Sequence, residues 1–73
     1  MLLTIKEVAK ELKVNTNYVY RLINAGLLPY VKLGSKKVRR ETLEKFLEKH
    51  DGANIDYLLE TEEKERGVEN GNY

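Results

Sequence analysis

The sequence has no cysteine and no tryptophan, and only one proline, one phenylalanine and one histidine. Without thiols, neither disulfides nor thiolate metal sites are available, and a reducing compartment is compatible. The lone imidazole, His50, lies near the end of a charged segment and reads as a solvated side chain. The N-terminus meets charge at Lys6 and Glu7, too early for a secretory signal, and no apolar run is long enough to span a bilayer. A cytoplasmic location is therefore expected. A chain of 73 residues supports one modest core. It has room for packed helices but not for a buried catalytic cavity. No His, Cys or Ser has a partner at useful spacing, so neither enzymatic activity, a metal nor a cofactor is expected.

The net charge of +1 conceals a strong asymmetry. Residues 1–50 carry eleven Lys and Arg against five Glu, whereas residues 51–73 carry seven Asp and Glu against two basic residues. A basic body followed by an acidic tail is a pattern of nucleic-acid-binding chains.

Ile5, Val8, Ala9 and Leu12 recur at i, i+3, i+4 and i+7, one face of a helix. Thr4 is placed to cap it and Glu7 to complete a capping box, with Leu3 and Val8 as a hydrophobic staple. The pattern restarts at once. Asn15 is the next N-cap, Val14 and Val19 form a second staple, and Val19, Leu22 and Ile23 supply a buried stripe. Gly26 and Pro29 end this helix. Two helices separated by Lys13-Val14-Asn15 cannot lie antiparallel and must cross steeply, which predicts a helix-turn-helix. The small side chain of Ala9 fits a close crossing.

Tyr30-Val31-Lys32-Leu33 and Lys36-Lys37-Val38-Arg39 alternate around Gly34-Ser35, which predicts a hairpin with a two-residue turn. That register places Val31, Leu33 and Val38 on one face and Tyr30, Lys32, Lys37 and Arg39 on the other. Glu41 to Lys49 reads as a third helix with Leu43, Phe46 and Leu47 inward, and a short strand at Met1–Leu3 is compatible. The expected fold is mainly α with a small β-hairpin, closed by Gly52. Residues 53–73 then form an acidic tail. Asn54 would cap a short helix there with Ile55, Leu58 and Leu59 on one face, docked on the protein's own core or on a partner. Residues 67–73 show no periodicity and are expected to be disordered.

The function-bearing residues are read from the second helix and the hairpin. Opposite its buried stripe, the second helix carries Asn17, Arg21 and Asn24, flanked by Tyr18 and Tyr20. Arg addresses guanine O6 and N7, Asn addresses adenine N6 and N7, and Tyr hydroxyls reach phosphates. Thr16 and Asn17 place backbone N–H groups of the helix N-terminus near a phosphate. Residues 12–40 contain no Asp or Glu at all, in a chain with 12 carboxylate side chains. On the hairpin, Lys32, Lys37 and Arg39 gather beside Tyr30. Such like charges repel across strands unless a phosphate backbone relieves them.

Taken in order, Leu3-Thr4-Ile5-Lys6-Glu7-Val8-Ala9-Lys10-Glu11-Leu12, Val19-Tyr20-Arg21-Leu22-Ile23, Gly26-Leu27-Leu28-Pro29 and Lys32-Leu33-Gly34 resemble the excisionase family. These are small winged helix-turn-helix proteins related to the mercury-resistance regulator superfamily. The resemblance covers residues 2–49. It implies DNA binding by the second helix in the major groove and by the hairpin wing on the flanking backbone. By position it implicates Thr16, Asn17, Tyr20 and Arg21 in the helix and Lys36, Lys37 and Arg39 in the wing. It also implies service to a phage or element recombinase (an integrase), by binding and bending the recombination site. Two departures stand out. The wing turn is one residue shorter than usual, and Arg40 stands where an apolar residue or Pro is common.

Three readings stay open at this point: an excisionase-type architectural factor, a small transcriptional regulator on the same module, and a protein-only adaptor. For either DNA reading, about three base-reading side chains are too few to single out a genomic site. Cooperative self-association on neighbouring repeats, or DNA deformation, is then expected to supply the rest.

Overall fold

Four helices and a three-stranded antiparallel sheet make up residues 1–66, the part of the chain that the computed structural model describes. The order is β1 (Leu2–Thr4), α1 (Ile5–Leu12), α2 (Thr16–Asn24), β2 (Val31–Leu33), β3 (Ser35–Arg39), α3 (Arg40–Lys49) and α4 (Ile55–Glu65). The disorder expected for 67–73 lies outside the described residues.

Thr4 ends β1 and caps α1. Its hydroxyl accepts from the Glu7 N–H at 3.1 Å, and Glu7 Oε1 accepts from the Thr4 N–H at 2.8 Å. This capping box holds the Glu7 carboxyl below the usual carboxylate range, chiefly through the bond from the Thr4 backbone. The helix stops at Lys13, which adopts a left-handed conformation with φ 60°, and the Val14 N–H returns to the Ala9 carbonyl at 3.0 Å. That closure turns the chain sharply and drops Val14 against the core. Asn15 then accepts from the Tyr18 N–H at 2.8 Å and starts α2 two residues later. Gly26, at φ 80°, closes α2 in the same manner, with the Leu27 N–H on the Leu22 carbonyl at 3.0 Å.

The core is built from Leu3, Val8, Val19, Leu22, Leu28, Val38, Leu43 and Phe46, joined by Leu59 of α4. The segment expected as a short helix after Gly52 is thus seated on the body through Leu59, with Ile55 packed beside it. Leu58 is only half-buried, and Leu47, expected inward, is 46% exposed. Leu43 and Phe46 take the inward positions of α3 as expected, and the Phe46 ring tilts against the His50 ring at 4.8 Å.

The sheet runs β1-β3-β2, with Leu3 opposite Val38 and Lys32 opposite Lys36. The expected hairpin register is one residue out. Leu33 faces Ser35, Gly34 stands alone at the apex with φ 73°, and Val31 faces Lys37 rather than Val38. Val38 therefore shares its face with Lys32 and Lys36, while Val31 and Leu33 lie on the opposite face with Lys37 and Arg39. The difference lies in the turn, which Gly34 alone closes with its positive φ instead of the expected two residues. Pairing with Leu3 fixes Val38 in the core, and the wing projects too far to bury Leu33, which stays 55% exposed. The unusual Arg40 also has a local reason: its guanidinium meets Glu11 of α1 at 2.6 Å, tying α3 to α1. Two helices, α1 and α2, joined by a tight turn, a three-stranded sheet with a protruding hairpin, and a supporting α3 constitute a winged helix-turn-helix.

Candidate nucleic-acid interface

The side of α2 away from Val19, Leu22 and Ile23 divides into two strips. Asn17, Tyr20 and Asn24 are exposed and follow one another at i, i+3 and i+7, a continuous ridge of two amides and a phenol. Thr16, at the N-terminus beside them, is half-buried. The helix has no acidic residue of its own in its first turn, which favours an anion near its N-terminal N–H groups.

Tyr18 and Arg21 form the second strip, and it is not open in the way the sequence implies. Both are half-buried against α4. Arg21 donates from Nε to Glu63 Oε2 at 2.8 Å and from Nη2 to Glu63 Oε1 at 2.7 Å, a two-pronged ion pair. The Glu63 side chain is 2% exposed and that of Arg21 23%. The Tyr18 hydroxyl donates to Asp56, and the Arg21 guanidinium lies over the Tyr18 ring at 5.8 Å. Burial, followed by the bond to Asp56, pushes the Tyr18 phenol up to about 12. Arg66 at the end of α4 closes the row. A Cβ on Gly26 would stand 2.6 Å from its Nη2. Asp56 with Tyr18, Glu63 with Arg21 and Arg66 with Gly26 run in the same order along both helices, so α4 lies along α2 in the same sense. Asp56 and Glu60 also border Arg21 in a shallow cleft.

Sequence reasoning missed Asp56 and Glu63. A usable signal existed, because Ile55, Leu59 and Glu63 share one helical strip at i, i+4 and i+8. A carboxylate continuing an apolar strip requires a cation to meet it, and Arg21 is that cation.

On the opposite flank of α2, the wing meets Tyr20. Lys36 Nζ lies 5.7 Å from the Tyr20 ring centre and 5.1 Å from that of Tyr30, so one ammonium joins helix, loop and hairpin. Lys37 turns back on the hairpin, donating to Ser35 Oγ at 2.8 Å and to the Leu33 carbonyl at 3.3 Å. Lys32 is exposed, and Arg39 sits 3.5 Å from Glu41 on the surface. The four wing cations therefore occupy both faces of the hairpin: Lys32 and Lys36 toward α2, Lys37 and Arg39 away from it. They surround the wing rather than lining one side.

A polar ridge of amide side chains beside a cation-ringed hairpin presents donors for base edges and for phosphates. The family model for the helix-turn-helix domain matches residues 2–51. The chain belongs to the helix-turn-helix domain family. The match takes in α1, α2, the wing and α3, and it ends before α4. Comparison with curated proteins and with solved structures finds no match. Membership in a helix-turn-helix family supports DNA as the partner of the chain. Among the described residues, no helix is long and apolar enough to cross a membrane.

Proposed function

We propose that the chain is a double-stranded DNA-binding protein of excisionase type, which binds and bends a recombination site and directs a site-specific recombinase toward excision. The observation that carries the DNA part is the Tyr20–Lys36–Tyr30 stack, which sets the wing at a fixed place beside the exposed ridge of α2. In this arrangement Asn17, Tyr20 and Asn24 enter the major groove while Lys32, Lys36, Lys37 and Arg39 meet the flanking backbone. The recombination part rests on the resemblance of residues 2–49 to excisionases. A single ridge of this size calls for several copies on neighbouring direct repeats, with the acidic α4 region of one copy near the basic face of the next. The chain has no reaction centre of its own in this reading and acts on the DNA of the cytoplasm.

Footprinting the full chain on the DNA flanking its own gene tests the proposal. Protection of repeats at an attachment site, with a bend seen by gel phasing, is the expected result. Protection of a promoter on straight DNA would replace the excisionase reading with that of a transcriptional regulator. No protection at low salt would leave a protein-only adaptor.

A further inference from the structure

The second strip of α2 is the place where α4, which lies beyond the family match, touches the helix that the DNA reading puts in the groove. Glu63 is the single buried charged residue among the described residues, and both its oxygens face one guanidinium. A carboxylate is not placed in a protein interior without reason, since desolvating it costs more than most pairs return. Replacing this pair by packed apolar residues would hold α4 to α2 equally well.

Two consequences follow from the geometry. First, a two-pronged pair fixes the plane and rotamer of an otherwise flexible side chain. Arg21 therefore keeps one orientation on the shoulder of the ridge formed by Asn17, Tyr20 and Asn24. Second, the carboxylate cancels the guanidinium charge at 2.7 Å, so Arg21 has little long-range attraction for phosphate. An arginine with a solvated charge in a groove collapses onto the nearest phosphate; one held and neutralised does not.

We propose that Glu63 is a specificity-determining positioning residue: it holds Arg21 in place to contact a base edge and keeps it from serving as a phosphate anchor. The inference rests on the DNA reading above and deepens it, making α4 part of the reading surface. The alternative of a detachable inhibitory strap fits less well. Leu59 is wholly buried in the core, so lifting α4 would expose it together with Glu63.

The test uses the full chain and a pool of random-sequence duplexes, from which the preferred duplex is recovered by selection. Binding of Glu63→Gln is then compared on the preferred duplex, on single-base-pair variants of it and on the random pool, over a series of salt concentrations. Glu63→Gln keeps the size of the side chain and removes its charge. Preference at one base pair should fall by about fivefold or more. Binding to the random pool should stay equal or tighten, with the salt slope steeper by roughly 0.9 because one cation is released from its partner. Arg21→Lys, which keeps the charge and loses the planar fork, should lose the same preference and serves if Glu63→Gln fails to fold.

Preference unchanged in both variants would overturn the proposal. So would a parallel rise on all duplexes, the mark of a strap, or a parallel fall that tracks the melting temperature, the mark of a purely structural pair. Failure of the unsubstituted chain to bind any duplex would instead overturn the DNA reading itself.

Discussion

Arg21 and Glu63 hold each other by two parallel hydrogen bonds across the contact between α2 and α4, with Glu63 on the buried side and Arg21 on the shoulder of the surface. The pair is asymmetric, and that asymmetry predicts stability. Arg21→Ala takes the guanidinium away from a carboxylate that is 2% exposed, a loss of about 3 kcal/mol by analogy with other broken buried pairs. Glu63→Ala leaves a guanidinium that already reaches solvent, and it should cost less. Urea denaturation should therefore rank Arg21→Ala below Glu63→Ala, with the double substitution more stable than Arg21→Ala alone. Equal losses in the two single variants would show that packing, not charge, sets the cost.

Tyr18 reports on the same contact through its titration. Its phenol is shifted from 10.0 up to about 12 by burial and by the bond to Asp56. The folded chain thus holds the proton more tightly than the unfolded chain. The stability linked to it is complete below pH 10 and is lost as pH rises from there toward 12. A tyrosinate absorbance titration should show a late step that Tyr18→Phe removes and Asp56→Asn moves earlier. A Tyr18 step in the ordinary tyrosine range would mean that α4 does not cover α2 in solution.

The capping box has the opposite sign. Glu7 is held below its ordinary value by the hydrogen bond from Thr4, so its contribution is present above the unfolded carboxylate range. It is lost as pH falls through the lowered value. Thr4→Ala should cost about 1 kcal/mol at neutral pH, as other N-cap losses do. Glu7→Gln should melt earlier than the parent at neutral pH, and the difference should close on acidification. A gap that persists in acid would place the effect elsewhere than in the Glu7 charge.

Leu59 decides whether α4 is an appendage or part of the body. Its side chain is fully buried among residues of the other elements, so Leu59→Ala should cost about 2–5 kcal/mol. Truncation after Gly52 should then impair folding rather than merely remove negative charge. Thermal melts by circular dichroism measure both. A truncated chain that melts like the parent would contradict the placement of α4.

Much of this fold is legible in the sequence, because its signals are local. Thr4 with Glu7, Asn15, Gly26 and the stripe Val19/Leu22/Ile23 specify α1, the turn and α2 without reference to anything distant. The wing register is less legible. Alternation around Gly34-Ser35 favours a two-residue turn, but Gly34 alone closes the hairpin, and Val31 and Leu33 stay exposed on a wing that projects beyond the core. The open face of α2 is legible for Asn17, Tyr20 and Asn24, which are exposed. Tyr18 and Arg21 are half-buried, because the element that covers them lies after Gly52 in the segment read as an acidic tail. Sequence reading fails at Tyr18 and Arg21 because tertiary contacts override local pattern.

The central claim is that the α2 ridge and the wing together bind duplex DNA, and salt dependence tests it most directly. Affinity of the full chain for a duplex, measured by fluorescence anisotropy, should fall linearly with salt on logarithmic axes as counterions are released. Replacing Lys36, Lys37 and Arg39 together by Ala should weaken all duplexes similarly and reduce the slope by roughly 0.9 for each phosphate that the wing no longer neutralises. Binding by the parent chain with that reduced slope in the triple variant is the result the account predicts. No binding at low salt, or a slope that the triple variant leaves unchanged, would contradict it.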